Sequence, residues 1–218
     1  MIIAQHKPFA EIQDMIGPYG NILLVGCSTC MAFCSAGGPD EVDALAKVLL
    51  SENKNMIVEK SNIPRQCSRK FVDRLEKKIH DIEAILSMAC GNGVQTVAGR
   101  FPETPVLPAL NTQFIGIKEE AGVWTEMCTA CGDCILWRTG GICPVTRCAK
   151  GLLNGPCGGA SEGRCEVSKD RPCAWQQIYH ALKRLNMLHY LKEKPQVKDW
   201  RIRPGIVIRE DLREVEAT

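Results

Sequence analysis

The sequence lacks the features that define several protein classes. Its thirteen cysteines in 218 residues fall short of the roughly 8–10% typical of small disulfide scaffolds, so the chain should fold by packing. No apolar run approaches the roughly 20 residues that a membrane helix needs, and the first residues lack the apolar segment of a signal peptide. A formal net charge of +2 does not indicate a polyanion as main partner. We therefore expect a cytoplasmic globular protein with no membrane span and no nucleic acid partner.

The usual catalytic signatures are also missing. There is no Ser–His–Asp series, no His-Glu-x-x-His and no complete glycine-rich nucleotide fingerprint, so no catalytic residue is predicted. The histidines are scattered along the chain, which favours packed or solvated roles over ligation. In a reducing compartment, clustered cysteines are metal ligands or redox groups more often than disulfides. Metal binding is therefore the only chemistry that the sequence indicates.

The first region, residues 1–118, has an α/β pattern. An apolar run at residues 22–26 predicts a strand, and the Gly-Gly-Pro-Asp break at residues 37–40 begins a helical pattern. Further strands are expected at residues 56–58, 82–88 and 106–110, with helices at residues 71–79 and 94–101. This alternation predicts an α/β domain built on a small parallel sheet flanked by helices.

Five cysteines of this region follow predicted strands. Cys27, Cys30 and Cys34 come after the first strand, Cys67 after the second and Cys90 after the third. Because the carboxyl ends of parallel strands share one edge, these thiols should converge there. We expect an iron–sulfur cluster held by Cys27, Cys30, Cys34 and either Cys67 or Cys90. The alternatives are a redox Cys-x-x-Cys motif and buried thiols that serve as small apolar side chains.

The second region, residues 119–218, is rich in cysteine and glycine and poor in apolar runs. We expect bound metal to organise it, because it cannot bury much apolar surface alone. An apolar stripe predicts a C-terminal helix from Trp175 to about Lys192, docked on the sheet domain or on a partner. The tail carries one short strand-like piece at residues 206–208. Basic residues between Lys183 and Arg203 are interpreted as a solvated face, or else as a docking patch for an acidic redox protein.

The strongest motif is Cys128-x-x-Cys131-x-x-Cys134, followed by Cys143-Pro144. Three thiolates at this spacing can wrap one cuboidal cluster, and bacterial ferredoxins also end the pattern in Cys-Pro, although with a shorter gap. Structural zinc is the alternative, since zinc sites also use short Cys-x-x-Cys pairs. Four more cysteines allow a second four-cysteine site, which leaves a mixed region of one cluster and one zinc open: Cys148, Cys157, Cys165 and Cys173.

Several segments together resemble a known family. Gly26-Cys27-Ser28-Thr29-Cys30, Arg65-Gln66-Cys67, residues 89–95 and the run from Cys128 to Gly159 resemble the MetV-type small subunit of methylenetetrahydrofolate reductase from anaerobic bacteria. The similarity extends from about residue 19 to residue 200, and the run from Cys128 is its most specific part.

The resemblance implies a role in electron transfer. It implies two or three 4Fe–4S clusters, with zinc as an alternative at one site, and a MetF-type flavoprotein partner that holds the flavin and the folate. The donor would be ferredoxin or a larger redox complex. The family's cysteine pattern falls on all thirteen cysteines, the four from Cys148 to Cys173 being the candidates for the additional metal site. The alternative function is a zinc-stabilised scaffold that tethers the flavoprotein without passing electrons.

Overall fold

The computed structural model describes residues 1–193, 197–200 and 205–209. The chain divides into two compact units, Met1–Glu126 and Met127–Thr218. The sequence placed this boundary after residue 118, but residue 118 lies within a long strand, Leu110–Glu120, of the first unit.

The first unit contains both helices and strands. In chain order its elements are β1 (Ile2–His6), α1 (Phe9–Ile16), β2 (Asn21–Cys27), α2 (Cys30–Phe33), α3 (Pro39–Glu52), β3 (Ile57–Ile63), α4 (Arg69–Val72), a 3₁₀ helix (Asp73–Lys78), β4 (Ala84–Met88), α5 (Gly91–Arg100), β5 (Val106–Pro108), β6 (Leu110–Glu120) and β7 (Val123–Cys128).

A four-stranded parallel sheet forms the centre of this unit, as the sequence predicted. Its strand order is β3-β2-β4-β5, and all neighbouring pairs are parallel. The predicted α/β class is therefore confirmed. The predicted helix at residues 71–79 is shorter, however, because only Arg69–Val72 is α-helical and the chain then tightens into the 3₁₀ helix.

Strand β2 is almost entirely buried, because apolar residues pack against both faces of the sheet. Leu23 and Val25 pack into one apolar core with Leu75 and Val97. Ile22 and Leu24, which point to the opposite face, pack into a second core together with α1 and α3. A continuous apolar run is the pattern expected of such a doubly covered strand.

A second sheet was not predicted. It has the order β1-β6-β7, and β1 pairs with β6 in antiparallel register. Most side chains of β6 are exposed, so this strand lacks the alternation of apolar and polar residues by which half-buried strands are recognised.

The second unit contains few regular elements among its described residues. They are a 3₁₀ helix (Leu136–Arg138), α6 (Pro144–Arg147), α7 (Ala174–Arg184) and a second 3₁₀ helix (Leu188–Leu191). The predicted C-terminal helix is present, but it ends at Arg184 and not near Lys192. Asn186 adopts a left-handed backbone conformation with φ of 56°, and a right-handed α-helix cannot continue through such a residue.

The apolar stripe of α7 is covered by the cysteine-rich unit itself. Trp175, Ile178 and Leu182 are buried there with Cys173, and the loops of the same unit contribute the partly buried residues Ile142, Cys148, Leu152, Ala160, Met187, Leu188 and Tyr190. The expectation that this helix docks on the sheet domain or on a partner is therefore wrong for its buried face. Leu185, which the sequence assigned to the stripe, is mostly exposed.

The C-terminal tail differs from its prediction where it is described. Gly205–Arg209 contains no regular secondary structure, so no strand forms at residues 206–208. Lys198 is only 7% exposed and its ammonium group donates to the Asp133 carbonyl, so it is not part of a solvated face. Lys194, Arg201, Arg203 and the rest of the predicted extended tail lie outside the described residues. No helix in the described ranges is long and apolar enough to cross a bilayer.

Candidate metal centres

The carboxyl edge of the parallel sheet carries three of the predicted cysteines on neighbouring segments. Cys27 is the last residue of β2, which lies between β3 and β4 in the sheet. Cys67 follows β3, and Cys90 follows β4 and caps the start of α5. The topology therefore places all three at one edge, with Cys27 in the middle.

The electrostatics of Cys27 show that these thiols are close. Burial is the largest influence on Cys27 and raises its pKa, while the backbone N–H groups of Gln66 and Thr29 oppose this rise. Cys90 and Cys67 lie near enough that their charge would raise the pKa of Cys27 further. In the absence of a cation, the thiol of Cys27 is therefore held in its neutral form.

Backbone hydrogen bonds fix the loops that carry these cysteines. Ser28 donates its N–H to the carbonyl of Ile63 at 3.0 Å, and the hydroxyl of Thr29 donates to the carbonyl of Pro64 at 2.6 Å. The N–H of Cys27 donates to the carbonyl of Gly37 at 2.7 Å. The loop after β2 is thus fastened both to the loop after β3 and to the start of α3.

A buried polar network connects the residue before Cys67 to the parallel sheet. Gln66 is fully buried, and its Nε2 donates to the carbonyl of Val25 at 2.9 Å. The hydroxyl of Ser87 donates to Oε1 of Gln66 at 2.6 Å. Gln66 therefore connects β2 and β4 immediately before Cys67. In the sequence, Gln66 stands out only as part of Arg65-Gln66-Cys67, and the usable signal is a polar residue directly before a cysteine that follows a strand.

Cys34 is placed differently from the other thiols of the first unit. Its sulfur donates to the carbonyl of Met31 at 3.5 Å and weakly to that of Ala4 at 3.9 Å. Burial raises the pKa of Cys34, and a charge on Cys30 would raise that pKa further. The structure thus pairs Cys34 with Cys30 through α2 and groups Cys27 with Cys67 and Cys90.

The motif Cys128-x-x-Cys131-x-x-Cys134 forms a tight loop in the second unit. Ala130 and Gly132 both have positive φ, of 50° and 81°, so the chain turns after each of the first two cysteines. The N–H of Ala130 donates to the sulfur of Cys128 at 3.3 Å, and the thiol of Cys131 approaches the carbonyl of Asp133 at 3.7 Å. Such turns keep all three sulfurs on one short segment.

Cys143 and Cys148 flank a single helical turn. Cys143 is the N-cap of α6, Pro144 occupies the first turn, and Cys148 is the C-cap. Since α6 has only four residues, the two cysteines lie at opposite ends of one rigid turn.

Cys157 and Cys165 lie beside one ion pair of the second unit. Cys157 donates to a carboxylate oxygen of Glu166 at 3.5 Å, and the same oxygen pairs with the ammonium group of Lys150. Charges on Cys157 and Cys165 both raise the pKa of Lys150, although its hydrogen bond to Glu166 is the larger cause. Cys157 and Cys165 therefore lie close to this ion pair.

Cys165 is the thiol best prepared for ionisation. The backbone N–H groups of Val167 and Ser168 lower its pKa most, and Ala149 and Lys150 lower it further. A small hairpin holds this position, because the N–H of Cys165 donates to the carbonyl of Arg171 and that of Cys173 donates to Gly163. The thiolate is the form that binds metal, so this environment suits a ligand.

The thiols lie in groups, but in the described residues no group surrounds a position for a metal ion. Within residues 1–193, 197–200 and 205–209, no set of three or more His, Cys, Asp or Glu side chains has the arrangement needed to hold a metal ion. The thirteen cysteines are all free thiols. Their donor type nevertheless fits iron–sulfur clusters and zinc, which both take thiolate ligands.

Comparison with known proteins bears on the second unit above all. A search of curated proteins finds no match to the chain. Residues 107–201 match a protein-family model described as "Methylene-tetrahydrofolate reductase C terminal". The matched range is somewhat less than half of the chain and contains the eight cysteines from Cys128 to Cys173. The chain therefore carries a domain similar to the C-terminal domain of methylene-tetrahydrofolate reductase.

Proposed function

We propose that this chain is the iron–sulfur electron-transfer subunit of a methylenetetrahydrofolate reductase complex. It would pass electrons to the flavin of a MetF-type flavoprotein, which reduces methylenetetrahydrofolate to methyltetrahydrofolate. The observation that carries this proposal is the family match over the cysteine-rich unit, combined with a separate group of thiols in the first unit. A relay needs at least two redox centres, and the chain offers cysteines for them in both units.

The first proposed centre lies at the carboxyl edge of the parallel sheet. Cys27, Cys67 and Cys90 would hold it, with a fourth thiol from Cys30 or Cys34. Gln66 and Thr29 would direct their N–H groups at the Cys27 sulfur, and hydrogen bonds to cluster sulfurs raise the reduction potential.

The second unit offers ligands for two further centres. Cys128, Cys131, Cys134 and Cys143 would hold a 4Fe–4S cluster, as the spacing of the first three indicates. Cys148, Cys157, Cys165 and Cys173 would hold the remaining metal, either a third cluster or a zinc ion. The bound clusters supply one-electron redox chemistry; the protein supplies thiolates, N–H donors and burial.

Metal and sulfide analysis of anaerobically purified protein tests this proposal. We expect a brown protein that contains iron and acid-labile sulfide, with broad visible absorption that bleaches when dithionite is added. A colourless protein that contains zinc alone would contradict the relay and support the assembly scaffold. Quantifying iron and zinc on the same sample also distinguishes a third cluster from a zinc ion.

Size-exclusion chromatography tests the proposed partnership. We expect the chain to elute together with a MetF-type flavoprotein and, when alone, to bind neither flavin nor folate. Separate elution of the two proteins would contradict the partnership, whatever metals the chain contains.

A further inference from the structure

We propose that an exposed basic surface beside Cys67 docks an acidic one-electron carrier protein, so that electrons enter the first unit at this cysteine. The inference rests on the proposed relay function and adds the place and chemistry of electron entry. The basic surface consists of six exposed side chains on the Cys67 loop, α4 and the following 3₁₀ helix: Arg65, Arg69, Lys70, Arg74, Lys77 and Lys78.

The charges of this segment are strongly unbalanced. Between Arg65 and Lys78 the acidic residues are Asp73 and Glu76, and both form ion pairs with Arg100, at 2.6 and 3.1 Å. In the part of the chain that the structure describes, none of the six basic side chains has a carboxylate within 4 Å. The chain as a whole has a net charge of only +2, so this local excess is a property of one surface.

Part of the surface is structurally ordered by stacking. The guanidinium groups of Arg65 and Arg74 lie 5.7 and 4.9 Å from the ring centre of Phe71. Cation–π contacts of this kind hold the two guanidinium groups in place and leave them accessible to solvent. A preordered arginine loses less conformational freedom when it binds a partner.

An exposed aromatic residue lies in α2, the short helix that follows the adjoining loop. Phe33 in α2 is 65% exposed, and its loop is tied to the loop before Cys67 through the hydrogen bond from Thr29 to Pro64. Protein interfaces are enriched in aromatic residues and arginine. The combination of Phe33 with the arginines therefore favours a protein partner over nucleic acid.

The position of Cys67 identifies the partner as an electron carrier. Cys67 is exposed, whereas Cys27 and Cys90 are buried. A cluster held by these thiols would be closest to solvent on the Cys67 side, and electron transfer weakens steeply with distance. Arg65 and Arg69 flank Cys67 in the sequence, so an acidic carrier attracted to them would approach by the shortest route. The carrier would lose one electron and the cluster would gain it, with no bond made or broken.

Charge reversal tests this docking surface. The variant Arg69→Glu/Lys70→Glu changes two exposed residues of the basic surface, and Lys54→Glu/Lys118→Glu makes the same change of charge at exposed positions outside it. The probe is a photoreduced plant-type 2Fe–2S ferredoxin with an acidic surface, mixed with the iron-loaded chain in a stopped-flow spectrometer. At low salt we expect the bimolecular rate constant to fall by about tenfold or more in the first variant and to change little in the second.

The remaining outcomes separate docking from the relay itself. Both variants should keep the iron content and the dithionite reduction of the original protein. Equal slowing in both variants, or a rate that ignores salt and substitution, would overturn the docking surface. It would also be overturned if the first variant lost affinity for duplex DNA and kept its rate with ferredoxin. If the chain held no iron, the relay would fail, and binding of oxidised ferredoxin, measured by calorimetry with the same variants, would decide the docking surface alone.

Discussion

The two units of this chain present their cysteines in opposite ways. In the first unit, Cys27 and Cys90 are two of the 22 buried residues of one apolar core, so the scaffold has many apolar contacts besides theirs, and Cys67 lies exposed at the same sheet edge. Among the described residues of the second unit, the apolar core is far smaller, with four buried side chains in one cluster, and Cys173 is one of them. The first arrangement holds a preformed edge for metal, whereas in the second, metal has to contribute to folding. The difference predicts where stability and metal binding are coupled.

The largest expected effect is that of metal removal. Structural metal sites contribute on the order of 10 kcal/mol to folding, more than so small an apolar core can replace. We expect hydrogen exchange to show lost protection at residues 127–193 in the metal-free protein, while β2 and β4 stay protected. Retained protection in both units would remove the distinction between them.

A pair of cysteine variants sharpens the same comparison. Cys131→Ser should remove iron and also lower the thermal stability of the second unit, because its loop has little else to order it. Cys67→Ser should remove iron from the first unit and leave its melting temperature nearly unchanged, since Cys67 is exposed on a loop outside the core. Calorimetry with iron analysis checks both; equal destabilisation by the two variants would argue against a preformed edge.

The packing of α7 gives the next largest effect. Leu182→Ala deletes a fully buried side chain and should destabilise the metal-loaded second unit by about 2–5 kcal/mol. Leu185→Ala removes an exposed side chain at the C-cap of this helix and should change stability by no more than about 0.5 kcal/mol. Denaturant unfolding of both variants measures the difference. A comparable loss for Leu185→Ala would mean that its exposed side is covered in the assembled protein.

The smallest stability effect concerns the first unit. Gln66→Ala leaves the hydroxyl of Ser87 and the carbonyl of Val25 without their partners and should cost about 1–3 kcal/mol. Gln95→Ala, which removes an exposed amide that bonds only to its own helix, serves as the control. If Gln66 also positions the Cys67 loop, its variant should shift the spectrum of the bound cluster, and an unchanged spectrum would restrict Gln66 to a structural role.

The parallel sheet could be predicted because its signals are local. The buried run at residues 22–26 and the break before α3 lie in short stretches of sequence, and they correspond to β2 and to the start of α3 at Pro39. The antiparallel sheet could not, because β1 pairs with β6, which is more than a hundred residues away and mostly exposed. The end of α7 was missed since Leu188 continues the helical spacing beyond Asn186.

The candidate sites follow the same division. Topology alone places Cys27, Cys67 and Cys90 at one edge, so their approach could be inferred from strands and spacing. The position of Cys34 could not, because its thiol bonds to Ala4 of β1, in the sheet that the sequence did not reveal. The burial of Gln66 likewise depends on its hydrogen bonds to β2 and β4, and no local sequence pattern predicts these contacts.

Electron transfer to the flavoprotein tests the central claim most directly. The iron-loaded chain is mixed anaerobically with a MetF-type flavoprotein and a photoreduced ferredoxin, and flavin absorbance is followed with and without the chain. The relay predicts that flavin reduction requires the chain and is lost in the Cys131→Ser variant. Flavin reduction at the same rate without the chain, or with a colourless zinc form of it, would contradict the account.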